Sequence, residues 1–350
     1  MQAALLKRLV CPVDGAPLRL QAAEASGDEI RTGRLATPGR RYPIVDGVPC
    51  FLGPRQRAAS RQGFNDMWRF RRQGRFEKRD IYGMRPEARA DWLAGRFGAP
   101  FAAGSWVLDA GCGSADLTRA LAARYPDTQF VGLEFTDEVR AVARSAPALP
   151  NLHFVQADLM APPFEPGSFA RVFSLGVLHH TPDTRAAFSR VATLVAPDGE
   201  LLTWIYPDAR ESLLLAQLYF IRDVSFLGRG HRLPPELRFR LSQLYALGLM
   251  PSAVAAYQGY RLLSPLLGAG YERALDRDLS LSDLYDTMTF CLYDNITPEH
   301  QFRHGKREVL AWFRSLGFAG LRTDGQGTYR GRLRGRGGRA STAGGSFSAR

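Results

Sequence analysis

The sequence predicts an α/β fold in which helices cover a mainly parallel sheet, and two observations carry that prediction. Five apolar runs between residues 105 and 206 alternate with segments of helical periodicity, a pattern typical of βαβ units. The first run is followed at once by a glycine-rich turn and a helix, as in nucleotide-binding folds. With 350 residues, 45% of them hydrophobic, the chain is long enough for a sizeable core and additional modules.

The glycine-rich stretch, SWVLDAGCGSADLT over 105–118, is the centre of this arrangement. An apolar strand ends in Asp109, a turn runs through Gly111 and Gly113, and a helix begins near Asp116. Such a turn presents backbone N–H groups and the positive end of a helix to a ligand. A G-x-G turn alone is weak evidence, because several kinds of nucleotide-binding fold share it.

The later strands end in polar residues that belong at the same edge of the sheet. The strand over 128–133 is followed by Glu134, at a distance where an acidic residue can bind a ribose diol. The strand over 152–155 leads to Asp158, and the strand Phe169–Leu175 runs into VLHHTPD. Open α/β sheets bind ligands at the carboxyl ends of their strands, so these side chains predict a binding site.

In this order, the motifs resemble those of class I S-adenosylmethionine (SAM)-dependent methyltransferases, over about residues 100–206 and again over 303–330. The resemblance implies a three-layer, Rossmann-like methyltransferase sandwich with a seven-stranded mixed sheet, and SAM as the cofactor. A nicotinamide-binding Rossmann domain is the structural competitor. The short turn, paired with the HHTPD stretch, favours the methyltransferase.

The resemblance also assigns cofactor-binding residues: Asp109, Gly111, Gly113, Glu134, Phe135, Asp158, Leu159 and Leu175. Asp109 would anchor the first loop or the cofactor's amino group, and Glu134 would accept both ribose hydroxyls. Phe135 and Leu159 would lie against adenine, and Asp158 would accept from its amino group. For each carboxylate the alternative is a helix cap or a turn residue. The family's third glycine is replaced by Ala115, which fits if the helix begins one residue later.

His179 and His180 follow the fourth strand of the core. One can face the site, and the other should point into packing or solvent. A histidine there can act as a general base near neutral pH, so His179 is the candidate catalytic residue. Many family members carry these histidines without using them as a base. Asp183 is expected to cap the next helix.

Residues 1–54 resemble a Trm112-like, zinc-ribbon-derived module, through LVCPVDGAPL and RYPIVDGVPCFL. A closed zinc site needs four ligands such as thiolates. Here Asp14 replaces the second cysteine of the first knuckle, and only Cys11 and Cys50 remain in the module. The sequence therefore predicts a metal-free β module and no metal site elsewhere.

Residues 55–100 form a basic, aromatic-rich connector. Phe64, Met67 and Trp68 lie at spacings that share a helix face. The helix either packs on the sheet edge or, as in many small-molecule methyltransferases, covers the bound cofactor. Trp68 is then a substrate-side candidate, because an aromatic ring attracts a sulfonium by cation–π interaction.

Residues 208–302 interrupt the family pattern and predict a helical cap over the site, with helices over 213–221, 237–249 and 253–267. A polar connector over 290–304 supplies the remaining substrate-side candidates: Tyr293, Asp294, His300 and His304. Residues 303–330 return to the core with its last helix and strands, and the Gly/Arg/Ser-rich residues 331–350 predict a disordered tail.

The net charge of +12 is concentrated outside the predicted core. Segments 55–96 and 329–350 carry +7 and +6, which leaves the rest at −1. A nucleic-acid partner is therefore not expected, and the function predicted is methylation of a small-molecule acceptor, bulky or partly apolar. An RNA methyltransferase and a non-catalytic SAM-binding or partner-docking protein remain as alternatives.

Targeting features are not evident in the sequence. The first residues lack the apolar core of a signal peptide, and the longest apolar patch, Leu213–Ile221, is too short to span a bilayer. The four cysteines follow no disulfide framework. We therefore expect a cytoplasmic protein without a transmembrane segment; the oligomeric state is left open.

Overall fold

A computed structural model describes most of the chain: residues 1–26, 29–53, 58–76, 84–145, 149–208, 230–263 and 278–335. A small sheet is built from β1 (Arg19–Ser26), β2 (Glu29–Thr37), β3 (Arg40–Val45) and β4 (Val48–Pro49). A large sheet is built from β5 (Trp106–Ala110), β6 (Gln129–Glu134), β7 (Leu152–Gln156), β8 (Phe169–Leu175), β9 (Val195–Trp204), β10 (Phe318–Thr323) and β11 (Thr328–Leu333). The described helices are α1 (Ala3–Leu6), α2 (Ala58–Arg72), α3 (Pro86–Ala94), α4 (Asp116–Arg124), α5 (Glu138–Ser145), α6 (Thr184–Ala192), α7 (Pro235–Leu263), α8 (Leu281–Ile296) and α9 (Lys306–Ser315).

The large sheet has the order β10-β11-β9-β8-β5-β6-β7. Strands β5 to β9 pair in parallel, whereas β11 is antiparallel to both β9 and β10. The predicted seven-stranded mixed sheet is confirmed. The chain leaves β5 toward β6 on one side and later returns to β8 on the other, so β5 and β8 flank the point where open α/β sheets bind ligands.

Both faces of the sheet are covered, as the apolar strands require. Val107 and Leu108 point to opposite faces because side chains alternate along a strand. Val107 packs in a cluster with residues of α3 and α4, and Leu108 packs in a cluster with residues of α6 and α9. The result is the predicted three-layer sandwich.

The N-terminal module packs on β7, the edge strand of the large sheet. The Phe51 N–H donates to the Gln156 carbonyl at 2.8 Å, and the Val10 N–H donates to the Pro163 carbonyl at 3.0 Å. Leu5, on the module, belongs to the same buried cluster as core residues of the large sheet. The module therefore covers a sheet edge that would otherwise expose unpaired backbone groups, and it shares the hydrophobic core.

The two cysteines of the module have protein partners. The Cys11 sulfur lies 3.2 Å from the Tyr42 hydroxyl, and the Cys50 thiol donates to the Val48 carbonyl at 3.3 Å. Among the described residues, no group of three or more His, Cys, Asp or Glu side chains is arranged to hold a metal ion. The metal-free assignment stays a prediction, tested below.

The described part of the cap differs from its prediction in where the helices begin and end. One helix, α7, runs through Pro251, which was expected to end a helix. Pro251 has no N–H for the carbonyl of Leu247, and because Leu247 is exposed, water can satisfy that carbonyl. Helix α8 continues to Ile296, into the predicted polar connector. It ends before Pro298, which lacks the N–H that would continue the helix. The predicted helix over 213–221 lies outside the described residues, as do residues 264–267.

The predicted start of the disordered tail, at residue 331, is too early. Strand β11 continues to Leu333, because Gly331 pairs with Leu201 and packs closely on Phe313 and Leu321. Residues 336–350 lie outside the described part of the chain. None of the described helices combines the length and hydropathy needed to cross a membrane.

Phe51→Ala tests whether the module and the large sheet form one cooperative unit. The Phe51 ring is buried, 4.8 Å from the Tyr42 ring, in the cluster shared with the large sheet. We expect the loss of about 3–5 kcal/mol of unfolding free energy in a single transition, as for other buried Phe→Ala changes. Val13→Ala, at an exposed position of the same module, should change stability by less than about 0.5 kcal/mol. Two separate unfolding transitions in a denaturant titration would contradict the shared core.

Elemental analysis tests the metal-free module. Because Cys11 and Cys50 are each occupied by a protein partner and the other knuckle cysteines are absent from the sequence, purified protein should contain much less than one zinc per chain. One tightly held zinc per chain after dialysis against a chelator would contradict this.

Candidate active site

A cleft opens at the carboxyl ends of β5, β6 and β8. About 1020 Å³ of empty space lies within it when the open solvent at its mouth is included. Eight of its lining residues are those assigned to the cofactor from the sequence: Asp109, Gly111, Gly113, Glu134, Phe135, Asp158, Leu159 and Leu175. The fold thus brings these residues from four separate chain segments to one cleft.

The glycine-rich turn has left-handed backbone at three positions. Gly111 and Gly113 have φ values of +100° and +53°. A Cβ at Gly111 would lie 2.5 Å from Val177, and one at Gly113 would lie 2.6 Å from the Trp68 ring, so both positions exclude side chains. Ala115, where the family has glycine, has φ +56° and is fully buried. Helix α4 begins one residue later, at Asp116, as expected, but the left-handed alanine costs roughly 1 kcal/mol relative to glycine.

Glu134 joins the loops that follow β5 and β6. One carboxylate oxygen accepts the Gly113 N–H and the other accepts the Thr136 N–H, both at 2.9 Å. The side chain is buried, and burial raises the pKa of Glu134, while the two N–H groups oppose that rise. Hydrogen bonds from the Thr136 hydroxyl and the Phe135 N–H also lower the pKa of Glu134. A carboxylate has about four acceptor positions, so a ribose diol would share its oxygens with these loop donors.

Asp109 anchors the first loop. Its Oδ2 accepts the Thr118 hydroxyl at 2.5 Å, which ties β5 to helix α4. Burial raises the pKa of Asp109 to about 7; the nearby negative Glu134 adds to the rise, whereas the Thr118 hydrogen bond and the positive Arg89 oppose it. The loop-anchoring role expected from the sequence thus has a hydrogen bond to support it. Arg89, which sequence reasoning missed, also lines the cleft.

Asp158 makes the hydrogen bond of a turn residue and also lines the cleft. Its Oδ1 accepts the Met160 N–H at 3.0 Å, which is the turn-residue role. The same buried side chain lines the cleft, as do Leu159 and Phe135. A carboxylate oxygen in this position can accept an additional donor from a ligand.

Helix α2 covers the cleft from above the glycine-rich turn. Its Asn65 exchanges two hydrogen bonds with Asp137, at 3.1 Å and 2.8 Å, and its Arg71 donates to Ser114 and Asp116. Trp68 lies directly on Gly113. The helix is therefore tied to both ligand-side loops, with Phe64, Met67 and Trp68 on the cleft wall.

The two histidines have different surroundings. His180 lines the cleft, whereas His179 is fully buried and absent from its lining. The Tyr206 N–H donates to Nδ1 of His179 at 3.2 Å, and the two rings stack with centroids 3.7 Å apart. Burial lowers the pKa of His179 well below its ordinary value, which keeps the ring neutral. The catalytic role of His179 stays a prediction, but the histidine that borders the cleft is its neighbour.

The substrate-side candidates separate into two groups. Trp68 and Asp294 line the cleft. Tyr293 is fully buried among aromatic rings of α2 and α7, and burial raises its pKa to about 12. His300 contributes its backbone carbonyl to His180, and His304 packs on Trp312 with its Nδ1 3.2 Å from Glu308. Three further lining residues were not assigned to the site from the sequence: Arg89, Val177 and Phe290.

Comparison with known proteins points to one family over this region. Residues 107–199, which contain all eight assigned cofactor residues, match a family described as a methyltransferase domain. An uncharacterized methyltransferase of Mycobacterium tuberculosis is 38% identical over 109 residues, which cover 31% of this chain and 54% of that protein. The demethylmenaquinone methyltransferase of Thermus thermophilus is 30% identical over 126 residues, covering 35% of this chain and 57% of that protein.

Among solved structures, an O-methyltransferase family protein from Burkholderia thailandensis covers 79% of this chain and 60% of its own, with 17% identity and a TM-score of 0.41. The chain spans a little over half the length of the two curated relatives named above. Residues 107–199, the segment that matches the methyltransferase-domain family, contain most of the residues that line the cleft.

Asp109→Asn tests the buried carboxylate. The folded-state pKa of Asp109, about 7, lies above the ordinary value of 3.8. Burial of the Asp109 carboxylate therefore lowers the stability of the fold progressively as the pH rises from 3.8 to 7, and the loss is complete above pH 7. Asparagine keeps an acceptor for Thr118 without the charge. We therefore expect the thermal midpoint of the variant, relative to wild type, to be higher at pH 8 than at pH 5. Asp198→Asn, at an exposed position, is the control and should show no such pH-dependent difference. If Asp109→Asn shows none either, burial does not destabilise the charged Asp109 carboxylate, and the account is contradicted.

Proposed function

We propose that this chain is a SAM-dependent methyltransferase that methylates a small, largely apolar acceptor. The observation that carries the proposal is the convergence of eight cofactor-type residues on one cleft at the switch point of the sheet. The match to a methyltransferase domain over residues 107–199 supports the reaction class. The relative that acts on demethylmenaquinone supports an acceptor with an apolar body.

The residues present fit the cofactor. The Glu134 carboxylate would accept the ribose hydroxyls, and Phe135 and Leu159, which both line the cleft, would lie against adenine. The methionyl part would follow the backbone at Gly111 and Gly113, which have no side chains of their own and line the cleft. When bound, SAM supplies a methyl group on a positively charged sulfur, already activated for transfer.

The protein's contribution is then alignment and exclusion of water. Phe64, Met67 and Trp68 from helix α2 and Phe290 from helix α8 give the cleft an aromatic and apolar wall. His180 and Asp294 are among the polar residues of the same cleft lining. A flat apolar molecule with one polar edge matches that pattern, with its polar edge toward His180 and its body against the rings.

The activity is tested by incubating the purified full chain with isotope-labelled SAM and fractionated bacterial metabolites, and by locating the label by mass spectrometry. Label in apolar, low-molecular-mass products supports the proposal. Label confined to RNA, with binding that weakens steeply as salt rises, would contradict it.

Glu134→Ala should lower SAM affinity at least tenfold, because hydrogen bonds to a charged group are worth roughly 1.5–3 kcal/mol. Calorimetry measures the dissociation constant, and a thermal midpoint within a few degrees of wild type shows that the variant is folded. The control is Glu165→Ala, an exposed carboxylate remote from the lining set, which should bind as wild type does. Equal affinities for wild type and Glu134→Ala would remove Glu134 from the cofactor site.

A further inference from the structure

We propose that helix α7 docks on the surface of a lipid bilayer through an exposed apolar face, and that the protein takes its acceptor from that bilayer. The docking face is defined by four leucines of α7: Leu237, Leu244, Leu247 and Leu262. The docking itself does not depend on the reaction, whereas the origin of the acceptor rests on the proposed function.

The leucines of the docking face stand out by their exposure. Seven large hydrophobic side chains are exposed among the described residues, and four of them are these leucines. Leu244, Leu247 and Leu262 are 65%, 63% and 75% exposed, and Leu281, at the start of the neighbouring helix α8, is 66% exposed. Single exposed leucines are ordinary on a protein surface, but a group of them on one element indicates a binding surface.

Helical spacing places these leucines on one side of α7. Leu244 and Leu262 follow Leu237 by 7 and 25 residues, which are close to two and seven turns of 3.6 residues. Leu247 lies one turn beyond Leu244. The sequence between Arg240 and Arg261 contains no charged residue. A helix side that faces water normally carries charged residues, so this side is expected to meet an apolar environment.

The opposite side of α7 is already packed on protein. Phe239, Ser242, Ala246 and Tyr257 are buried, and the Leu279 N–H donates to the Tyr257 hydroxyl at 2.9 Å. The helix is therefore held by its own protein and does not need lipid to form. Its free side can lie in the plane of a membrane surface, as amphipathic interfacial helices do.

The backbone of α7 favours a hydrated bilayer surface over a second copy of the chain. Pro251 leaves the Leu247 carbonyl without its helical N–H, and a Cβ on Gly248 would meet no atom of the described residues within 4 Å. In a dry helix–helix interface that carbonyl would be buried without a donor, which is unfavourable. Water in the headgroup region can donate to it, while the leucine side chains reach the acyl boundary.

The charges around the docking face favour anionic lipid. Arg240, at one end of the uncharged stretch, is exposed, and so is Arg232. The exposed Glu236 of the same helix is paired with Arg75 at 2.8 Å. The whole chain carries a net charge of +12. Basic residues near a membrane are attracted to anionic headgroups, so the expected partner is a bilayer that contains lipids such as phosphatidylglycerol.

Aromatic rings connect the docking helix to the cleft. The ring centroid of Phe239, on the buried side of α7, lies 5.2 Å from that of Phe76. The Phe76 centroid lies 5.3 Å from that of Phe290, which lines the cleft. Docking through α7 would thus place the bilayer on the side of the protein that carries the aromatic wall, where an apolar acceptor dissolved in lipid would be concentrated.

Sedimentation with vesicles made of phosphatidylglycerol and phosphatidylcholine in equal parts tests the docking. Wild type should sediment with the vesicles and should stay bound in about 0.5 M NaCl, because salt screens charge attraction but leaves apolar burial intact. The triple variant Leu244→Gln, Leu247→Gln, Leu262→Gln should bind at least roughly tenfold more weakly, because its side chains no longer gain from entering lipid.

Two controls accompany the triple variant. Glutamine is about as favourable in a helix as leucine, and the three positions are absent from the cleft lining. The variant should therefore keep the thermal midpoint and the SAM affinity of wild type. Val13→Gln, at an exposed position of the N-terminal module, should bind vesicles as wild type does.

The origin of the acceptor is tested by methyl transfer from labelled SAM into vesicles of bacterial lipid extract. The triple variant should label lipid-borne products roughly tenfold more slowly than wild type, in proportion to its weaker docking. The difference should disappear when the same extract is dissolved in detergent. An equal deficit in detergent would show a catalytic defect and would overturn delivery from the bilayer.

Three results would overturn the docking: no binding of wild type to the vesicles, equal binding by wild type and the triple variant, or a wild-type dimer in light scattering that the triple variant dissociates without any vesicle binding. The last result would assign the face to a second copy of the chain. Wild type that docks on vesicles but binds no SAM in calorimetry would refute the proposed function and leave the docking standing, so the two failures are distinguishable.

Discussion

The hydrogen bonds that Glu134 makes to the Gly113 and Thr136 N–H groups are the interaction on which the rest of the site depends. They fix the loops after β5 and β6 relative to each other, and those loops carry both the glycine-rich turn and Phe135. Burying a carboxylate disfavours its charged form, which is why the pKa of Glu134 is raised. The two N–H groups offset part of that penalty, and a bound diol would add further donors to the same oxygens.

A continuous chain of contacts connects the N-terminal module to this site. The Phe51 N–H binds the Gln156 carbonyl, and the Gln156 side chain donates to the Thr136 carbonyl and to Asp137, both at 2.9 Å. Asp137 is in turn held by Asn65 of helix α2. The module that covers the sheet edge, the loop after β6 and helix α2 are therefore linked by hydrogen bonds.

The sequence predicted the parts of the molecule that depend on local patterns. Alternating apolar runs identified the strands β5 to β9, and the expected cap at Asp183 is confirmed by its bond to the Ala186 N–H at 2.9 Å. Local sequence patterns did not predict the features that depend on tertiary packing. Helix α7 passes through Pro251. His180, rather than His179, lines the cleft, and its ring bonds to the backbone carbonyl of His300, more than a hundred residues away in the sequence. No sequence spacing encodes which of two adjacent histidines will face a cleft.

The central claim is that the buried Glu134 carboxylate holds the ribose of an adenosyl cofactor, and a crystal structure with S-adenosylhomocysteine tests it most directly. The account predicts both ribose hydroxyl oxygens within about 3.2 Å of the Glu134 oxygens, with the adenine ring between Phe135 and Leu159. Adenosine density elsewhere in the cleft, or an empty cleft at saturating ligand, would contradict it.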